Sequence, residues 1–149
     1  GCRRHCKNCF SKVTWDFSYG KPFTEEVEEE LLQALSPDYI AGLTLLGGDP
    51  MEPENQRVLY PFVQKVRERL PNKTIWCYTG YTFKDGAIEE EQANCEVTRG
   101  LISLFDVLVD GRFIEDLKDI RLVFRGSSNQ RIIDVKKTLS SGNIVLYLT

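Results

Sequence analysis

Three cysteines fall within the first nine residues, in the order Cys2-Arg3-Arg4-His5-Cys6-Lys7-Asn8-Cys9. The chain holds five cysteines in 149 residues, and chance alone produces a C-x3-C-x2-C run with a probability of roughly 0.006. Soft thiolates at gaps of three and two let one short loop wrap three corners of an iron–sulfur cubane. Three ligands leave one iron free to bind a small molecule. Zinc is the competing reading, because it also takes thiolates. Zinc usually wants four ligands in two separated pairs, and no second Cys or His pair follows. His5 is the only histidine, and Cys77 and Cys95 each stand alone. Those two read as structural thiols, and His5 as a residue beside the site or in solvent.

The rest of the composition narrows the setting. A length of 149 residues fits one domain over 1–149. The net charge of −3 and pI near 5.3 give no basic footprint for a nucleic acid. No apolar run is long enough to span a bilayer, and no signal peptide is read at the start. An odd cysteine count crowded at one end is unlike a secreted disulfide scaffold. The expected compartment is therefore the reducing cytoplasm.

Hydrophobic periodicity suggests alternating helices and short strands. Residues 1–23 read as loop. Thr24 caps a helix whose early turns carry Glu25, Glu26, Glu28 and Glu29, with Val27, Leu31, Leu32 and Leu35 as its apolar stripe. Ser36–Pro37 ends it. Ile40 to Leu46 reads as a buried strand, stopped by Gly47-Gly48-Asp49-Pro50. A second helix is expected from Asn55 to Leu70, with Val58, Phe62, Val66 and Leu70 on one face and a kink or start at Pro61. Thr74 to Tyr78 and Asp106 to Val109 read as strands. The stretch 84–104 is weakly helical. Arg121 to Phe124 is a fourth strand candidate, and Ile144 to Leu148 a last one. The class is α/β with a parallel sheet. In such sheets ligands gather at the carboxyl ends of the strands, so Gly47–Gly48 and Thr79–Gly80 should face one mouth. The charged run Glu89–Glu90–Glu91 reads as a solvated face.

The cysteine spacing resembles the signature of the radical S-adenosylmethionine superfamily. Gly47-Gly48-Asp49 resembles that family's "GGE" loop, with Asp for Glu. Three further stretches resemble the activases of anaerobic (class III) ribonucleotide reductase: Ile75-Trp76-Cys77-Tyr78-Thr79-Gly80-Tyr81, Asp106 to Phe113 (DVLVDGRF) and Arg125 to Arg131 (RGSSNQR). Ser11, Thr14 and Trp15 after the cluster loop add to the match. Read without the resemblance, Trp76, Tyr78 and Val107 to Val109 are core, and Asp110–Gly111 and Gly126 to Asn129 are turns.

The resemblance implies a partial, open radical-SAM βα barrel. Family members carry about two dozen residues before the first cysteine, including a first strand, and the sheet here is expected to lack that strand. The resemblance also implies a [4Fe-4S] cluster on Cys2, Cys6 and Cys9, and S-adenosyl-L-methionine chelated at the open iron. Gly47, Gly48 and Asp49 would position its amino group. Backbone at Asn8, Cys9 and Phe10 would flank the adenosine, and Thr79 would sit on the pocket wall. A flavodoxin-like donor would supply one electron. The resulting radical would abstract hydrogen from a glycine of the partner anaerobic ribonucleotide reductase. No general base is required. An activase of a pyruvate formate-lyase-type partner, a small-molecule radical enzyme and a zinc-binding interaction module are the alternatives. The tail from Asp134 carries no assigned role.

Overall fold

A computed structural model describes residues 1–148. Its helices are α1 (Glu25–Leu35), α2 (Pro53–Arg69), α3 (Thr98–Ser103) and α4 (Val135–Ser141). A five-stranded sheet runs in the order β1 (Gly42–Leu45), β2 (Thr74–Tyr78), β5 (Val107–Asp110), β6 (Arg131–Asp134) and β7 (Leu146–Leu148). The strands β3 (Phe83–Lys84) and β4 (Ala87–Ile88) form a separate hairpin. Among the described residues no strand precedes β1, and β1 and β7 lie at opposite edges of an open sheet.

The parallel expectation holds for one half of the sheet. β1, β2 and β5 are parallel, joined through α2 and through the segment containing α3. β6 runs antiparallel to β5, and β7 antiparallel to β6. The reason lies in the connection. A parallel return needs a crossover, usually a helix, whereas β5 and β6 are linked by a loop whose only regular piece is the 3-10 turn Glu115–Leu117. Two strand assignments change with this. Arg121 to Phe124 is exposed loop, and β6 takes the fourth strand's place ten residues later. The tail from Asp134 folds as α4 and β7, with Asp134 capping α4 by accepting from the Lys137 N–H.

Period-two alternation sorts the strands onto two faces. Leu45, Ile75, Cys77, Leu108 and Ile133 meet Leu32, Leu35, Phe62, Val63, Val66, Leu101 and Ile102 from the helices in one core. Val107, Val109 and Ile132 face the other way beside the half-buried Trp76 and Tyr78. Phe124 and Tyr147 pack edge-on against Trp76 at 5.0 and 5.3 Å. The helices therefore cover one face only.

Thr24 caps α1 by accepting from the Val27 N–H, as its position implies. α2 begins at Pro53, where the missing N–H costs nothing, and continues through Pro61. Its buried stripe is Phe62, Val63 and Val66 with Leu59 and Leu70 partly covered, while Val58 is exposed. Spacing of three and four, rather than four alone, tracks the 3.6-residue turn. Phe62 is 1% exposed at the centre of this core. Replacing it with alanine is expected to lower the unfolding free energy by about 3–5 kcal/mol, measured by denaturant titration. No described helix is long and apolar enough to cross a membrane.

Candidate cofactor site at the cysteine loop

The cysteine loop is held from several sides. The Cys2 N–H donates to the Trp15 carbonyl at 3.3 Å, and the Cys9 N–H to the Cys6 carbonyl at 3.2 Å. His5 and Asn8 adopt positive φ of 45° and 60°, which bends the chain tightly between the cysteines; asparagine tolerates this region better than most residues. Arg3 pairs with the buried Glu52 and, at 2.7 Å, with Glu54 at the start of α2. The Arg4 guanidinium lies 4.6 Å from the Tyr81 ring centroid, and the Arg4 carbonyl accepts from Arg112. His5 stacks on Trp15 at 4.1 Å.

This bracing places three free thiols around one cavity of about 240 Å³. Cys2 is buried, and Cys6 and Cys9 are half-buried. Three thiolates can hold three corners of a cubane and leave one iron open, whereas a structural zinc site takes four protein ligands. Burial pushes the Cys2 thiol up, against the pull of the Arg4 N–H, and the charges of Asp49 and Glu52 add to the rise. A metal bound there must displace a proton.

The opposite wall is the loop after β1. Gly47 and Gly48 have φ of +78° and +29°, and a Cβ on Gly48 would lie 2.8 Å from the Gly1 carbonyl oxygen. Side chains larger than hydrogen are therefore disfavoured at both positions. That carbonyl accepts from the Asp49 N–H and from Asn55 Nδ2, each at 3.0 Å, which ties the cysteine loop to the glycine loop.

Asp49 is buried and spans two strand ends. Its Oδ1 accepts from the Met51 N–H at 2.9 Å and the Thr79 hydroxyl at 2.7 Å. Its Oδ2 accepts from the Gly80 N–H at 2.8 Å. A carboxylate offers about four acceptor positions, so three hydrogen bonds leave one unused on a residue that lines the cavity. Burial pushes the Asp49 carboxyl up to about 6, although all three hydrogen bonds pull it down. It is a desolvated anion with an unused acceptor position and, among the described residues, no cationic side chain bonded to it. Thr79 serves it: the hydroxyl donates to Asp49 and accepts from the Tyr81 N–H.

The two glycine pairs do face one mouth. Cys2, Cys6, Cys9, Gly47, Gly48, Asp49, Thr79 and Phe10 all line the cavity. Asn8 does not; it lines the neighbouring groove. Several wall residues escaped the sequence reading, among them Arg4, Tyr78 and Gln130. Arg4 presents a buried Nε with no partner among the described residues. Gln130 belongs to the Arg125–Arg131 stretch, which proves to be a brace. Gln130 Oε1 accepts from the Gly126 and Ser127 N–H groups, and its Nε2 donates to the Gly111 carbonyl. Asn129 donates to the Arg112 carbonyl. Asp110 binds Arg131 and the Phe83 N–H. These stretches hold the cavity's far wall. Glu90 likewise is no solvated residue, since it accepts from the Thr82 N–H and hydroxyl.

The residues present fit a cluster with a zwitterionic ligand: three thiols, a desolvated carboxylate with room for an ammonium donor, and an unmatched guanidinium donor. Comparison with known proteins agrees. A family profile described as a 4Fe-4S single cluster domain matches residues 1–133. The anaerobic ribonucleoside-triphosphate reductase-activating protein of Pasteurella multocida (strain Pm70) is 42% identical over 134 residues, covering 89% of this chain and 81% of that protein. The protein of the same name from Escherichia coli (strain K12) is 39% identical over 132 residues, covering 87% and 80%. That of Enterobacteria phage T4 is 38% identical over 132 residues, covering 89% and 78%. No solved structure matches significantly. At this identity and coverage, the chain belongs to the family of anaerobic ribonucleoside-triphosphate reductase-activating proteins.

Proposed function

We propose that this chain activates an anaerobic ribonucleoside-triphosphate reductase by generating a glycyl radical on it. The observation that carries the reading is the meeting of Cys2, Cys6 and Cys9 with Gly47–Asp49 around one cavity, in a member of that family. A [4Fe-4S] cluster held by Cys2, Cys6 and Cys9 would supply the one electron needed for reductive cleavage of S-adenosyl-L-methionine to methionine and a 5′-deoxyadenosyl radical, the species that would take a hydrogen atom from the partner's glycine.

The chain's own residues bind, orient and shield. Cys2, Cys6 and Cys9 would hold the cluster. Asp49 would accept from an N–H of the methionine amino group, and Thr79 and Gly80 hold the Asp49 carboxylate in place. Gly47 and Gly48 keep the wall thin enough for close approach. Arg4 Nε is placed to donate to an acceptor in the cavity. Cys9 and Phe10 would flank the adenosine, with Asn8 behind them acting through its backbone bend. The sheet, open between β1 and β7, is read as part of an open barrel. A flavodoxin-like donor and a cytoplasmic setting complete the proposal.

The test is anaerobic. Protein reconstituted with iron and sulfide is reduced, and its paramagnetic resonance recorded with and without S-adenosyl-L-methionine. A reduced cubane signal that changes on adding the cofactor is expected. A signal indifferent to it, or a chain that takes up only zinc, would remove the reading.

A further inference from the structure

Beside the cavity lies a larger groove of about 630 Å³. Cys6, Cys9, Phe10 and Phe113 line both spaces, so the groove adjoins the cofactor cavity across the cysteine loop. Its outer wall is the loop between β5 and β6. Ile120 there is 92% exposed, and Phe10 on the facing wall is 99% exposed. Two apolar side chains this bare, flanking a concave surface, are what a protein contact covers. The charged residues lining the groove are Glu115, Asp119, Lys118 and Arg125. Two acids and two bases cancel, so the groove favours an uncharged occupant.

We infer that this groove seats the glycine-bearing segment of the partner reductase, with the Glu115–Arg125 loop as its docking wall. The inference rests on the function proposed above. Hydrogen-atom transfer requires the partner's glycine Cα at contact distance from the cofactor. A macromolecular substrate must therefore lay a segment of chain across the cavity mouth, and this groove adjoins the cavity at Cys6, Cys9, Phe10 and Phe113. The loop is suited to the task. Its base is fixed by the Gln130 and Asn129 hydrogen bonds to Gly111 and Arg112, and by Ser128 N–H donating to the Leu117 carbonyl at 3.0 Å. Phe124, at a φ of 60°, packs its ring edge-on against Trp76 of β2 and pins the loop to the sheet. Ile120 is left uncovered on the pinned loop. Arg121 to Phe124 reads as a strand because its apolar residues are there, but they lie on this loop rather than paired in the sheet.

The test compares wild type with Ile120→Asp, Ile120→Leu and the double variant Lys118→Glu/Ile120→Asp. Each is reconstituted, reduced with dithionite and assayed for S-adenosyl-L-methionine cleavage without the reductase, then for glycyl radical with it. Ile120 is too exposed to support the fold, so the variants should fold and cleave like wild type. Ile120→Asp is expected to lower glycyl radical formation at limiting reductase at least tenfold, the double variant further, and Ile120→Leu little. Unchanged radical formation in Ile120→Asp, with cleavage intact, would overturn the groove assignment and leave the proposed function standing. Wild type that cleaves no cofactor would remove both. A loss seen only with a flavodoxin donor and absent with dithionite would assign the groove to the electron donor instead. A change confined to self-association would assign it to a second copy of this chain.

Discussion

Cys6→Ala and Cys9→Ala are expected to abolish cluster assembly while leaving the chain folded. Both cysteines are half-buried in a loop, outside the two apolar cores. Truncating a side chain there should move stability by no more than about 0.5 kcal/mol. The chemical effect is of another order. Each thiolate would carry one corner of the cluster, and losing even an outer-shell partner of a metal ligand costs roughly 10–100-fold. Loss of a ligand should therefore reduce bound iron and cofactor cleavage by at least about a hundredfold. The same spectrum supplies the control. Cys77 is buried in the helix-side core, and Cys95 donates toward Gln56 at 3.4 Å; neither lines the cavity. Cys77→Ala and Cys95→Ala should keep the iron, with Cys77→Ala losing some stability. Cys2→Ala is the poorer probe, because Cys2 is buried and its Sγ accepts from the Arg4 N–H at 3.4 Å. Iron analysis, visible absorption and thermal unfolding on the five variants separate the two classes. Iron retained by Cys6→Ala, or lost from Cys77→Ala, would refute the ligand assignment.

Those cysteines were legible because their chemistry is local: ligand spacing lies within eight residues of chain. The helices α1 and α2 and the strands β1, β2 and β5 were legible for a similar reason, since burial writes its period into adjacent residues. The hairpin β3–β4 was legible in principle. Asp85–Gly86, with φ of 51° and 81°, is the two-residue turn that Asp-Gly favours between short strands, yet strands of two residues leave almost no alternation. β6 was hidden because only Ile132 and Ile133 are apolar, and its flanking Arg131 and Asp134 serve other ends, one pairing with Asp110 and one capping α4. The role of Thr79 was the least accessible. Its partner Asp49 lies thirty residues away, and only the parallel register of β1 on β2 brings the two strand ends together.

Binding of S-adenosyl-L-methionine to the cluster-loaded protein is expected to weaken as pH falls through about 6, and Asp49→Asn should remove that dependence. Burial raises the Asp49 carboxyl from 3.8 to about 6. A raised carboxyl holds its proton more tightly in the folded state, so its stabilising contribution is complete below about 3.8 and is lost as pH rises through about 6. The unliganded protein therefore carries a poorly solvated anion at neutral pH. An N–H of the cofactor's amino group donating to Asp49 offsets that desolvation, so cofactor binding favours the ionised carboxylate and weakens once it is protonated. A charge-assisted hydrogen bond contributes about 1.5–3 kcal/mol, so Asp49→Asn should weaken binding at pH 8 by roughly 10- to 150-fold. Asparagine can keep the donors from Met51 and Thr79 on its oxygen, but its amide cannot accept from the Gly80 N–H. The fold should thus lose about one hydrogen bond, near 1 kcal/mol, while shedding a buried charge, and its melting temperature should change little. Anaerobic calorimetric titrations at pH 5, 6 and 8 on wild type and Asp49→Asn read both quantities. Equal affinities at pH 8, or a wild-type profile flat from 8 to 5, would show that the amino group is held elsewhere. In that outcome Asp49 would be a strut that joins the ends of β1 and β2, and Arg4 would be left as the polar contact to test next.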